Sequence, residues 1–248
     1  MAQSFFIWNG IDCRAMGVTM RGPAPIIRPE ERVRHIEIPG KSGDLTETEG
    51  DDIYNSYIQT ASISVRDWAR VREVYKWLRG AGFVTFSGEP DRQQRARIIG
   101  AITLNRFSRN LDKWQGEVQF YCQPLKEKLI ENNVTISASG STVRNNGDVI
   151  CRPVYKVHTS ATEVTLTVMP VDSVLPAGAG SNSITLSGVA NRSYCYIDCE
   201  TMEVWNSTMT SLVTKKSSGD FPIMMPGNNR ITGSGWSDIE IEKRERYL

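Results

Sequence analysis

Residues 32–54, R-V-R-H-I-E-I-P-G-K-S-G-D-L-T-E-T-E-G-D-D-I-Y, decide how the rest of the chain is read. The stretch opens as a strand. Arg34, Ile36 and Ile38 alternate with Val33, His35 and Glu37, as side chains do on the two faces of a sheet. Pro39-Gly40 ends it. A polar, acidic, glycine-bearing run follows as far as Asp52, and residues 53–65 then read as a second strand with Tyr57, Ala61, Ile63 and Val65 near one face. That connection is too long for a tight hairpin, whose loops run to about two to five residues. The expectation is an arm that leaves its own domain. With Gly40, Gly43 and Gly50 in it, the arm carries backbone polar groups that need partners, and a neighbouring subunit can supply them.

On the N-terminal side, Phe5-Phe6-Ile7-Trp8 runs into Asn9-Gly10, the pair that favours a type I′ turn, so the chain begins with a hairpin. Gly22-Pro23-Ala24-Pro25 breaks regular structure before Ile26-Ile27-Arg28-Pro29 leads into the arm. On the C-terminal side a helix is predicted over residues 67–79, capped by Ser64 or Asp67 and closed by Gly80 or Gly82. Trp68, Val71, Tyr75 and Leu78 recur at helical spacing as its buried face, each stabilising by roughly 1.5 to 3 kcal/mol when covered. Strands are predicted at 83–86, 96–104 and 114–122.

The run Gln123-Pro124-Leu125-Lys126-Glu127-Lys128 is read as a boundary, giving domains 1–124 and 125–248. Past it no helical period occurs. Short strands at 134–139, 154–157, 164–168, 183–186, 194–199, 203–205, 229–232 and 239–241 alternate with Gly, Asn and Pro turns, the pattern of an antiparallel sandwich. The fold class is therefore mainly β: an N-terminal β domain with one packed α-helix and an extended arm, then a C-terminal antiparallel β-sandwich.

The 248 residues suffice for one large or two small domains, and 40% hydrophobic with 23% charged residues is an ordinary globular balance. A formal charge of +1 gives no global pull toward nucleic acid or acidic lipid. The start M-A-Q-S-F-F-I-W lacks the apolar core of a secretory signal, and no run is long enough to cross a bilayer, so no membrane insertion and a cytoplasmic site of folding are expected. Cys13, Cys122, Cys151, Cys195 and Cys199 are odd in number and follow no pairing scheme, which favours reduced thiols.

Each chemical constellation has an ordinary reading that leads. Gly40-Lys41-Ser42 resembles the end of a phosphate loop, but His35 stands where that loop needs its first glycine and no helix follows. Cys195 and Cys199 share a strand face with Ile197, which favours buried thiols over a metal site. Asp51-Asp52 and Glu89 with Asp91 are carboxylate pairs, read as solvated turn residues. Arg92, Arg95, Arg97, Arg106 and Arg109 form one basic concentration with only Phe107 as an interleaved aromatic, so a surface that pairs with acids of this or a neighbouring chain is preferred to nucleic-acid recognition. No catalytic residue, cofactor site or metal site is assigned.

Several motifs in order resemble the distal tail protein (Dit) family of long-tailed, non-contractile bacteriophages. They are Ile26-Ile27-Arg28-Pro29, Ile38-Pro39-Gly40-Lys41-Ser42-Gly43-Asp44-Leu45, Trp77-Leu78-Arg79-Gly80, Phe86-Ser87-Gly88-Glu89-Pro90-Asp91, Gly219-Asp220-Phe221-Pro222-Ile223-Met224-Met225-Pro226-Gly227-Asn228-Asn229 and Ile239-Glu240-Ile241-Glu242-Lys243-Arg244-Glu245-Arg246-Tyr247-Leu248. One departure is Arg92-Gln93-Gln94, where aromatic residues are expected. The resemblance implies a structural virion protein without enzymatic activity: a homo-hexamer ring at the tail tip, or baseplate hub, built by the N-terminal domains and assembled in the host cytoplasm. Its implied partners are the tail tube protein and the hub or tail-associated protein, with receptor-binding or tail-fibre proteins and the tape measure as further candidates, and DNA passes through the channel without specific recognition. The C-terminal sandwich is implied to be galectin-like. A closed ring needs two different patches on each subunit, and the residues assigned to them are Ile38, Pro39, Gly40, Lys41, Ser42, Gly43, Asp44, Leu45, Tyr54, Arg95 and Arg97. The competing classes are a carbohydrate-binding module, weakened because Thr159-Ser160-Ala161 follows His158 in place of a galectin ligand set, and a cell-wall hydrolase, for which no catalytic constellation stands out.

Overall fold

The computed structural model describes residues 4–48, 50, 52–108, 111–175, 182–208, 210–211 and 213–248. It divides into two compact units, Met1–Leu129 with Leu248, and Ile130–Tyr247. The expected junction at Pro124 lies inside a strand, and the units part after Leu129.

The first unit contains β1 (Phe6–Trp8), β2 (Ile11–Asp12), β3 (Val18–Met20), β4 (Val33–Glu37), β5 (Asp44–Thr48), β6 (Tyr57–Arg66), α1 (Trp68–Trp77), β7 (Ala81–Phe86), β8 (Arg92–Ile99), β9 (Leu104–Ser108) and β10 (Leu111–Lys128). One antiparallel sheet runs in the order β2-β1-β7-β8-β10-β6-β3, with β9 also pairing to β10. The opening hairpin forms as expected. Asn9 and Gly10 have φ of 50° and 79°, the left-handed values a type I′ turn requires. Phe6, Trp8, Phe86 and Phe120 gather over the middle of the sheet, Phe120 lying 5.5 Å from Phe6, 5.6 Å from Trp8 and 5.6 Å from Phe86 between ring centroids.

Helix α1 begins where the sequence puts a cap: Asp67 accepts a hydrogen bond from the Ala69 amide at 3.0 Å. Its buried face differs from the expected one. Val71, Val74 and Leu78 are buried, whereas Trp68 is 52% and Tyr75 38% exposed. Val71, Val74 and Leu78 make an i, i+3, i+7 stripe and Trp77 stacks on Phe6 at 5.6 Å between centroids, whereas Trp68 lies against Trp114 at 4.8 Å.

The arm is a correction. The strand that pairs with β4 is β5, inside the run read as a polar turn, and the two form a separate two-stranded sheet with Ile36 opposite Leu45 and Arg34 opposite Glu47. The loop between them, Ile38-Pro39-Gly40-Lys41-Ser42-Gly43, uses Gly40 and Gly43 at φ of 81° and 82°. Many of the backbone groups expected to need a neighbour are thus satisfied within the hairpin. The strand predicted from residue 53 starts at Tyr57.

The second unit contains β11 (Val134–Ile136), β12 (Ser141–Asn145), β13 (Val154–Thr159), β14 (Glu163–Pro170), β15 (Ser183–Ser187), β16 (Tyr194–Asp198), β17 (Glu203–Asn206), β18 (Lys216–Gly219), β19 (Gly227–Ser234) and β20 (Trp236–Glu242). Two sheets form, β11-β20-β13-β16-β17 and β12-β19-β14-β15-β18. Tyr155, Val157, Ile197, Ile239 and Ile241 of one pack with Leu166, Val168, Ile184, Leu186 and Ile231 of the other in a single core, which makes the unit a sandwich. The strands unforeseen in the sequence, β12 and β18, are the edges of the second sheet. Their sequences, STVRN and KSSG, lack apolar alternation because an edge strand is held chiefly by its ladder.

Candidate subunit interface

The hairpin β4–β5 presents more surface than it buries. All five residues of β5 are exposed, and Leu45 and Ile38 stand 54% and 38% open to solvent. Register places Arg34, Ile36, Leu45 and Glu47 on one face and Val33, His35, Glu37, Asp44, Thr46 and Thr48 on the other. The first face is an aliphatic pair, exposed Leu45 and half-buried Ile36, flanked by one cation and one anion. At the base, the Arg32 amide donates to the Ile53 carbonyl at 2.9 Å and the Asn55 amide to the Glu30 carbonyl at 2.8 Å. Tyr54, assigned by sequence to an interface, is buried at this base and bridges Glu31 on the other side of the hairpin. Burial, and after it the charge of Asp52, push its hydroxyl pKa up.

The arginine concentration separates into different environments. Arg92 pairs with Glu89 at 3.0 Å, and Lys126 binds the other oxygen of Glu89 at 2.7 Å. This removes Glu89 as a free carboxylate beside Asp91. Arg95 and Arg97 lie on the opposite face of β8, exposed, and neither meets a carboxylate among the described residues. Arg95 lies 5.5 Å from the Phe83 ring centroid, a cation–π contact, and Arg97 is cross-strand from Ala81 and Tyr121. Together with Gln123 these residues line an open groove of about 730 Å³, continued by Ile58 opposite Tyr121. Ile58 and Tyr121 are 49% and 41% exposed. Arg106 is on β9, while Arg109 and Asp51 lie outside the described residues.

Elsewhere the chemistry is quiet. All five cysteines are free and buried, and burial pushes the thiols of Cys122, Cys151 and Cys195 up to about 12. Among the described residues no group of His, Cys, Asp and Glu could hold a metal ion. Gly40-Lys41-Ser42 lies in the hairpin loop with strand β5 after it. One cluster escaped the sequence reading: Ser237 Oγ and Asp238 Oδ1 both lie 3.1 Å from His158 Nδ1. Serine and aspartate address the same ring nitrogen, whereas a relay to a nucleophilic serine needs them on opposite nitrogens.

No family model and no curated protein sequence matches the chain. Among solved structures it is similar to the SPP1 Dit (gp 19.1) protein, whose crystal structure is described as a paradigm of the hub adsorption apparatus in phages infecting Gram-positive bacteria. The TM-score is 0.78 at 16% identity, and the match covers 100% of each chain. From end to end, the chain has the fold of the SPP1 Dit protein.

Proposed function

We propose that this chain is a distal tail protein of a long-tailed, non-contractile bacteriophage, a structural component of the tail tip with no enzymatic role. The observation that carries the reading is the full-length likeness of fold to a phage hub protein, covering both units. In this reading six copies close a ring through their first units, the ring joins the tail tube to the hub or tail-associated protein, and DNA passes through its channel. The hairpin and the Arg95–Arg97 groove supply the two unlike patches that a head-to-tail ring requires. Leu45 and Ile36 offer apolar area, and Glu47 on the same face offers charge opposite to Arg95 and Arg97, which meet no carboxylate among the described residues. Receptor-binding or tail-fibre proteins and the tape measure are the remaining partners of such a hub.

The test is particle mass and negative-stain imaging of the purified chain, beside a variant whose hairpin (Val33–Glu37 through Asp44–Thr48) is replaced by a short Gly-Ser link. The expected result is a ring for the intact chain and a folded monomer with little change in thermal unfolding for the variant. A monomer at every concentration and salt, together with no ring on purified tails, overturns the function. A ring that survives hairpin removal overturns only the assignment of the interface.

A further inference from the structure

The outer face of the sheet β11-β20-β13-β16-β17 carries a row that crosses all five strands: Thr135, Glu240, Lys156, Tyr196 and Trp205, each cross-strand from the next. A second row beside it holds Asp238, His158 and Tyr194. The aromatic members form two stacks. Tyr196 and Trp205 are 6.3 Å apart and 11° from parallel, and His158 and Tyr194 are 4.6 Å apart and 18° from parallel. Lys156 Nζ bonds Glu240 at 3.0 Å and also lies 5.1 Å from the Tyr194 centroid. None of this is sealed: Lys156 and Glu240 are each 36% exposed, and Tyr194 is 38% exposed.

Two properties of the face select a ligand class. In these two rows the one fixed cation, Lys156, is already paired with Glu240, and Asp238 adds a carboxylate, so the face has no free cation for an anionic ligand. Its surface combines flat aromatic area with fixed donors and acceptors at neighbouring cross-strand positions, the combination that takes a molecule with an apolar ring face and a rim of hydroxyls. Trp205 is on the edge strand, and with Glu203, Val204 and Ser211 it lines a cavity of about 270 Å³. That is slightly below the range of about 300–1,000 Å³ typical of drug-sized ligands, and suits a single ring entering at the sheet edge.

We infer that this face is a binding site for a neutral saccharide, with Trp205 and Tyr194 as stacking platforms and Lys156, Glu240 and Glu203 as hydroxyl partners. The site differs from the histidine, asparagine and arginine set whose absence at 158–161 weakened a sugar-binding reading of the sequence, and it does not depend on ring formation. The aromatic and ionic groups belong to different strands and meet only through register.

The test is calorimetric titration of the full chain with lactose, maltotriose and N,N′-diacetylchitobiose as neutral probes and poly(glycerol phosphate) as the anionic one. The expected result is saturable binding of at least one neutral probe, weakened about tenfold or more by Trp205→Ala and by Tyr194→Ala, equivalent to about 1.4 kcal/mol. Trp205→Phe retains binding, and so does Phe107→Ala, which removes an exposed aromatic of the first unit. Tyr194→Ala also serves as the reserve variant, since this side chain is largely outside the core. No neutral probe binding at about 10 mM, a sub-tenfold change for both alanine variants, or binding of the anionic polymer alone overturns the inference.

Discussion

The two units are both antiparallel β structures, yet they dispose of their sheet faces differently. In the second unit two five-stranded sheets cover each other, and the core drawn from both contains Leu166, Ile184, Ile197 and Ile239 at no more than 1% exposure. The first unit has one main sheet. Its inner face is covered in part by α1, while Ile58, Tyr121, Arg95 and Arg97 remain on an open outer face and the β4–β5 hairpin stands apart with Leu45 exposed. A sandwich covers the inner faces of both its sheets, whereas a single sheet with one helix leaves apolar and charged surface open. The sandwich's outer face β11-β20-β13-β16-β17 is of another kind, aromatic rings beside the Lys156–Glu240 pair.

The comparison can be broken most strongly in the two cores. Phe120→Ala removes a fully buried ring in contact with Phe6, Trp8 and Phe86 and is expected to cost about 3–5 kcal/mol, confined to the first unit. Leu166→Ala is expected to cost about 2–5 kcal/mol, confined to the second. Hydrogen exchange followed segment by segment reads both effects. Equal loss of protection in both units from either change would mean that they unfold as one body.

A smaller effect separates the helix-bearing unit from the helix-poor one. Asp67→Ala removes the side-chain acceptor that caps α1 and is expected to destabilise by about 0.5–2 kcal/mol, while Asp67→Asn retains most of the cap. The native φ of 76° adds strain for alanine. Thermal unfolding should fall for the alanine variant alone, with exchange in the sandwich untouched. Equal stability for Ala and Asn would show that the cap contributes nothing.

The smallest effect belongs to the sandwich. Burial raises the pKa of Glu131 above its ordinary 4.5, opposed by a hydrogen bond from the Glu245 amide and reinforced by the Glu245 charge. A carboxyl whose folded pKa is raised binds its proton more tightly when folded. Its contribution to stability is complete below the unfolded value and is lost as pH rises through the folded one. Glu131→Gln, which keeps the acceptor, should therefore gain stability relative to the native chain between about pH 4 and about pH 7. Denaturant unfolding at the two pH values checks this, and a difference that does not change with pH refutes it.

What could be read without coordinates was local. Asn9-Gly10 specifies its turn through the φ angles that these residues tolerate, and Asp67 specifies the helix start through its carboxylate. Eight strands of the sandwich announce themselves by alternating apolar residues. Edge strands β12 and β18 carry no such signal. The buried stripe of α1 is not legible in the sequence because Trp68 and Tyr75, bulky residues at helical spacing, stand exposed while Val74 is buried.

The sequence by itself determined the β class, the single helix, the change in character near the middle of the chain and the prominence of residues 32–54. Tertiary structure alone decided that β4 pairs with β5, that Tyr54 is buried, that Arg92 is neutralised while Arg95 and Arg97 meet no carboxylate among the described residues, and that Lys156, Tyr194, Trp205 and Glu240 share one surface. Periodicity reports which face of a strand is buried, a property set by adjacent residues. It carries no record of which strand lies alongside or in what register, and register is what brings distant side chains together.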